Sequence, residues 1–254
     1  MAATVGAGAA MGERKNVFIT GASRGIGHAT AAYFVRQGWR AITCSRDEVP
    51  PQCPRNERHA HITIDLAETH RLSEAVAQLE HILDGQQLHA LVNNAGYSPK
   101  AEGGKRLGCL DGTMEVWEKT FAINFFAPVY FSRACAPLLA KSQGSIVNLT
   151  SIAGSRVHPF AGSAYATSKA ALTALTRELA ADLAHLGIRV NAVCPGEINT
   201  AILSPGTEQL VERIPLRRLG SPDEVASIIY FLCSEGASYI TGAEIPVNGG
   251  QDVY

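Results

Sequence analysis

The chain has 254 residues, 46% of them apolar and 18% charged, with 22 Lys and Arg against 23 Asp and Glu for a formal charge of −1. That composition excludes a disordered chain, a collagen-like fibre and a small disulfide scaffold, and without excess positive charge no nucleic acid is expected as partner. The length allows one or two domains, and a single α/β unit is the simpler reading.

The first fifteen residues are rich in Ala and Gly, but the basic Arg14 and Lys15 follow the apolar stretch instead of preceding it. A flexible N-terminal segment 1–15 is therefore expected, not a secretory signal. Asn16-Val-Phe-Ile-Thr20 then reads as a strand buried on both faces. A glycine cluster follows, and from about Gly27 a helix carries Ala31, Tyr33, Phe34 and Val35 until Gly38 stops it. Further short apolar runs stand at 41–44, 61–64, 90–92, 145–149, 189–193 and 245–247, separated mostly by helix-length segments, with a Pro-rich loop at 50–54. Seven strands alternating with about six helices predict an α/β fold, a doubly wound parallel seven-stranded sheet with helices on both faces.

Two helices are marked locally. Ser221-Pro-Asp-Glu224 sets a capping serine, a proline at the first helical position and a glutamate three residues after the cap, ahead of Val225, Ile228, Ile229 and Leu232. The segment 115–141 reads as a helix bent by Pro128 and Pro137, whose aromatics Phe121, Phe125 and Phe131 suit either the core or a subunit contact. The six cysteines, at 44, 53, 109, 135, 194 and 233, show no ligand spacing and read as reduced core residues. No uncharged apolar run reaches 18 residues, so no membrane span is expected, and the cytoplasm is the expected location. The eight histidines show no zinc pattern, and no metal is expected.

Gly21-Ala-Ser-Arg-Gly25-Ile-Gly27 lies between a predicted strand and a predicted helix, where glycines let the backbone approach a pyrophosphate and free amides bind it. A glycine trio alone is also compatible with an ordinary turn. Further along stand Asn93-Asn-Ala-Gly96, Asn124, Ser151, Tyr165-Ala-Thr-Ser-Lys169 and Pro195-Gly196. Taken in order, these motifs resemble the short-chain dehydrogenase/reductase family over residues 16–250, nearly the whole chain. The resemblance implies a single dinucleotide-binding catalytic domain of Rossmann type over 16–254, with a substrate lid over 197–214. Within the family, Pro215-Leu-Arg-Arg-Leu-Gly220 and the tail 239–250 are most similar to the 3-oxoacyl-carrier-protein reductases. Two departures stand out: Ser151 precedes Tyr165 by 14 residues, one more than the family pattern, and the segment 97–112 is long and basic.

Tyr165 and Lys169 are four apart in a predicted helix over 163–186, so their side chains share a face. An ammonium about 4 Å from the phenol, at an effective dielectric near 20, favours the phenolate by roughly 4 kcal/mol, about three pKa units. That shift predicts a tyrosine able to transfer protons near neutral pH. Ser151 follows the strand 145–149, at the end where such sheets bind ligands, and is expected to orient the substrate oxygen; Thr150 is its rival. The resemblance adds Asn124 to the catalytic set, as a residue that bends its helix and holds a water linked to the lysine. His158, between Ser151 and Tyr165, could touch substrate but reads as a surface histidine.

The implied reaction is hydride transfer between a nicotinamide cofactor and a ketone, aldehyde or secondary alcohol, with Tyr165 as acid/base. The implied cofactor contacts in the glycine loop are Gly21, Ser23, Arg24, Gly25, Ile26 and Gly27. Beyond it they are Ser45, Arg46, Asp65, Leu66, Asn93, Ala95 and Gly96, and then Tyr165, Lys169, Pro195, Gly196, Ile198 and Thr200. Ser45 stands where NAD-preferring relatives carry aspartate and Arg46 follows it, which together with Arg24 predicts NADP, while Asp47 and Glu48 keep NAD open as ribose partners. Alternatives are a non-catalytic NADP-binding regulatory protein and an NAD-linked sugar or polyol dehydrogenase. A homotetramer is implied by the family.

Overall fold

A computed structural model of the chain describes residues 14–48, 57–201 and 206–252. The N-terminal stretch up to residue 13, the Pro-rich loop at 50–54 with Cys53, and part of the expected lid lie outside the described residues. The seven strands are β1 (Asn16–Thr20), β2 (Arg40–Ser45), β3 (His59–Thr63), β4 (Ala90–Asn93), β5 (Ser145–Leu149), β6 (Arg189–Pro195) and β7 (Glu244–Val247). They form one sheet in the order β3-β2-β1-β4-β5-β6-β7, and every pairing is parallel. The strand order reverses between β1 and β4, the place where an open α/β sheet leaves a crevice at its carboxyl edge.

Six α-helices stand among the described residues: α1 (Gly25–Arg36), α2 (Leu72–Leu83), α3 (Met114–Phe121), α4 (Ala127–Ala140), α5 (Ser163–Leu183) and α6 (Pro222–Cys233). Successive strand side chains point to opposite faces, so Phe18 joins one core with Leu79, Phe131, Leu139 and Leu179. Val17 and Ile19 join another with Phe34, Val225, Ile229 and Leu232. Helices α2, α4 and α5 cover the first face, and α1 and α6 the second. Such two-sided burial explains why the inner strands read as continuous apolar runs instead of alternating ones, while the edge strands β3 and β7 are only partly buried.

The differences from the sequence reading are local. β3 starts at His59, because its ladder with β2 opens at the pair Ala41–His59. β6 runs on to Pro195, which is still paired with Val247 of β7. The helix expected over 115–141 is interrupted not by a simple proline bend but by a π-helical stretch, Ala122–Phe126, with Pro128 in the first turn of α4 and Pro137 inside it. Pro128 has no N–H to give the Asn124 carbonyl four residues back, so an unbroken α-helix cannot be completed there. The start of α6 matches expectation, with the Ser221–Glu224 capping box complete. Cys109 departs from the core reading: it is exposed, whereas Cys44, Cys135, Cys194 and Cys233 are buried. No helix among the described residues is long and apolar enough to cross a membrane.

Candidate active site

A cleft of about 300 Å³ runs along the carboxyl edge of the sheet, over the ends of β1, β2, β4, β5 and β6. At its centre the turn after β1 is folded tightly under the end of β4. Gly21 has φ +68°, and a Cβ there would lie 2.6 Å from the Ala95 Cα. A Cβ on Gly27 would meet the Asn94 amide at 2.3 Å and the Gly21 carbonyl at 2.4 Å. Thr20 Oγ1 accepts from the Asn94 and Ala95 amides, both at 3.1 Å, and Asn94 Nδ2 donates to the carbonyls of Thr20 and Gly21 at 2.9 Å. Helix α1 starts on Arg24 with no side-chain cap and no acid in its first turn. Its first amides therefore have no intrahelical partner and suit an anion.

Most sequence-predicted cofactor residues line this cleft: Gly21, Ser23, Arg24, Gly25, Ile26 and Gly27 at its centre, and Ser45, Arg46, Asp65 and Leu66 at one end. Ala95 and Gly96 continue it toward Tyr165, Lys169, Pro195, Gly196, Ile198 and Thr200 at the other. Asn93 does not line it. It ends β4 paired with Asn148 of β5, and its amide lies beneath the cleft, where Nδ2 donates to Asn148 Oδ1 at 2.8 Å and to Ser132 Oγ at 3.3 Å. Its neighbour Asn94 is the one that reaches the cleft; Asp47, kept open as a ribose partner, lines it too, and Tyr97 lines it unpredicted. The Asn93-Asn94 doublet was the available signal, since adjacent residues at a strand end point opposite ways.

At the β5 end, Ser151 caps the short turn Ile152–Gly154 by accepting from the Ala153 amide at 3.2 Å, and its hydroxyl bonds Tyr165. Its rival Thr150 spends its hydroxyl on the Val193 carbonyl at 3.0 Å. Lys169 is buried, and its Nζ donates to the Leu149 carbonyl at 2.5 Å. That ammonium lies 5.8 Å from the centre of the Tyr165 ring. The electrostatics differ from the simple pair expected. Burial pushes the phenol of Tyr165 up, with the Ser151 hydrogen bond pulling it part of the way back. Burial also pushes Lys169 down to about 8. The dominant effect on both groups is loss of water, not their mutual attraction.

Asn124 is buried off the cleft. Its Nδ2 donates to the Tyr97 carbonyl at 3.0 Å and to Ser168 Oγ at 2.9 Å, and its Oδ1 accepts from the Tyr97 amide at 2.8 Å. Ser168 in turn donates to the Tyr165 carbonyl. The side chain thus fastens the π stretch to the helix of Tyr165. A second buried chain, Asn93 to Asn148 to Thr176 Oγ1 at 3.0 Å, ties β4 and β5 to α5.

His158 is not a surface residue. Its side chain is 10% exposed, and Nε2 lies 2.5 Å from Glu197 Oε1. Its Nδ1 accepts from the amides of Phe160 and Ala161 at 3.2 Å, so the loop before α5 is clasped to the first residue past Gly196. Of the expected lid, residues 206–214 include a 3-10 turn, Thr207–Arg213, and residues 202–205 lie outside the described residues. The segment 97–112 forms a small antiparallel bridge, Lys100 to Arg106, around Gly103 and Gly104. It leans on the start of α5: Ser163 N donates to the Leu107 carbonyl at 3.0 Å, and Lys100 Nζ to the Phe160 carbonyl at 2.7 Å. No group of His, Cys, Asp and Glu among the described residues has the arrangement of a metal site.

The family described as enoyl-(acyl carrier protein) reductase matches residues 21–252. The chain is 54% identical to protein FixR of Bradyrhizobium diazoefficiens over 243 residues, 94% of this chain and 87% of the relative. A crystal structure of a short-chain dehydrogenase/reductase family oxidoreductase from Brucella ovis, in complex with a partially ordered NAD, is 49% identical with a TM-score of 0.78. It covers 93% of this chain and is itself covered in full. A 3-oxoacyl-[acyl-carrier protein] reductase from Brucella melitensis with bound NAD is 32% identical with a TM-score of 0.83, over 98% of this chain and 97% of that one. With a seven-stranded parallel sheet, a glycine turn at its switch point and Tyr165, Lys169 and Ser151 facing the same cleft, the chain belongs to the short-chain dehydrogenase/reductase family of oxidoreductases.

Proposed function

We propose that the protein is an NADP-preferring carbonyl reductase or alcohol dehydrogenase, acting on a ketone, aldehyde or secondary alcohol. The observation that carries this reading is that Tyr165, Ser151 and Lys169 line one continuous cleft with the glycine turn. A nicotinamide dinucleotide fits the residues present: the close approach at Gly21 and Gly27 leaves backbone exposed to a pyrophosphate, and the uncapped start of α1 offers amides to it. When bound, that group supplies or accepts the hydride. Everything else falls to the chain. The Tyr165 hydroxyl gives its proton to the carbonyl oxygen, or takes it from the alcohol, while Ser151 holds the same oxygen. Lys169 places positive charge beside Tyr165 and lowers the cost of its phenolate in a site where burial raises it. Asn124, through Ser168, holds the helix that presents both.

The NADP preference rests on Arg24 and Arg46, which are exposed at the cleft wall and make no ion pair among the described residues. NAD is the competing reading, favoured by Asp47 in the same wall and by the NAD in the two Brucella structures. Turnover over panels of carbonyls and alcohols with NADPH and NADH tests the whole reading; no turnover with any pair, alongside intact cofactor binding, favours a regulatory protein instead. The partly exposed row Trp117, Phe121, Phe125 and Phe126 supports a homotetramer, which sedimentation as a monomer at micromolar concentration overturns. The buried free thiols suit a reducing compartment, the cytoplasm.

A further inference from the structure

Beneath the adenosine end of the cleft lies a hydrogen-bonded chain that the reaction does not use. Ser45 Oγ donates to the Asp47 carbonyl at 2.7 Å, and His61 Nε2 reaches the same carbonyl at 3.0 Å and Ser45 Oγ at 3.2 Å. On its other side, His61 Nδ1 is 2.8 Å from Thr43 Oγ1, which is 3.0 Å from His59 Nε2. A carbonyl only accepts, so the His61 proton sits on Nε2 and Nδ1 is a bare acceptor beside the Thr43 hydroxyl, whose one hydrogen is shared between Nδ1 and the Ala60 carbonyl at 3.2 Å. Thr43 then accepts from His59, and the run is satisfied with both rings neutral. Burial lowers the pKa of both histidines, which agrees with neutral rings.

The proton count has a consequence at Ser45. A hydroxyl carries one hydrogen, and here it is given to Asp47, so Ser45 shows the cleft only lone pairs. Lone pairs suit a ribose hydroxyl, which donates; they repel the oxygens of a 2′-phosphate, which only accept. The Asp47 carbonyl, however, has a second donor in His61. The Ser45 hydrogen is thereby free to turn to a phosphate without stranding that carbonyl.

We propose that His61 is a positioning residue for cofactor choice: it is the stand-in donor to the Asp47 carbonyl that releases the Ser45 hydroxyl for the 2′-phosphate of NADP. This rests on the NADP reading above. The test is titration of the native protein, His61→Leu, His61→Gln, Ser45→Ala and the His61→Leu/Ser45→Ala pair with NADPH and with NADH, with thermal melting of each. His61→Leu is expected to weaken NADPH about tenfold and NADH by less than about twofold, the loss of one charge-assisted bond. His61→Gln, whose amide reaches the same carbonyl, recovers most of the loss, and in the Ser45→Ala background His61→Leu changes nothing further. An unchanged NADPH to NADH ratio in His61→Leu, or equal loss of both, overturns the inference and leaves the cofactor reading standing. Native protein that binds NADH as tightly as NADPH overturns both. If His61→Leu does not melt cooperatively, Ser45→Ala decides, since full NADPH preference in that variant overturns the inference.

Discussion

The two ends of the cleft are built differently. Around Tyr165 the polar groups are interlocked: Lys169 on the Leu149 carbonyl, Ser151 on Tyr165, Asn124 on Ser168, and the Asn93–Asn148–Thr176 chain beneath. At the adenosine end the bonded groups lie beneath, in the run from Ser45 through His61 to His59, and Arg24 and Arg46 stand exposed at the cleft wall on a helix start and a turn. Proton transfer needs reacting atoms held within tenths of an ångström, which a packed and interlocked site supplies. Choosing between two dinucleotides needs only a favourable charge where one of them carries a phosphate. The first end therefore tolerates little change, and the second is open to tuning by one or two residues.

The largest effect that sharpens this contrast is expected from Tyr165→Phe, which removes only the transferable proton. Turnover should fall about a thousandfold, with cofactor affinity nearly unchanged; retention of more than about a tenth of native turnover means that Tyr165 is not the acid. Next is the cost of holding Lys169 in the buried end. Its pKa falls from 10.5 to about 8 on folding, so below pH 8 the ammonium is charged in both states and the full cost is present. Between 8 and 10.5 the folded protein loses that proton before the unfolded chain does, so its stability relative to Lys169→Met should rise with pH, by about 3 kcal/mol overall. Denaturant melts of the two proteins from pH 7 to 10.5 read this directly, and a constant difference shows that the ammonium is not penalised. At the other end, Arg46→Asp should cut the NADPH to NADH affinity ratio at least about tenfold, as measured by fluorescence titration. The smallest effect is salt. Raising it from about 0.05 M to about 0.5 M should lower the cofactor ratio roughly threefold through screening of exposed charges; an equal salt effect on NADH binding removes the proposed phosphate contact.

Much of this was legible in the sequence, for identifiable reasons. Strands buried on both faces are continuous apolar runs, and these together with the two runs at the sheet edges were enough for the sheet and its parallel sense. The cleft residues are carried by short motifs whose spacing is itself the geometry, as with Tyr165 and Lys169 one helical turn apart. What was not legible depends on contacts between distant segments. Nothing near Asn93 says that its amide faces Asn148, 55 residues on, while Asn94 faces the cleft. His158 read as a surface residue because its partner Glu197 is 39 residues away. The pKa of Tyr165 was misjudged because a pairwise charge calculation contains no desolvation, and that is the larger effect in this site.

The bridge at Lys100 and Arg106 does more than lengthen a loop. Helix α5 begins on Gly162 without a side-chain cap, and the Leu107 carbonyl takes the place of one by accepting from Ser163 N. The fit is close: a Cβ on Gly162 would lie 2.8 Å from that carbonyl. The segment 97–112 is thus also the brace of the helix that presents Tyr165. Cutting that segment short would strip Ser163 N of its partner and leave the helix end frayed, so the loop and the placing of Tyr165 stand or fall together.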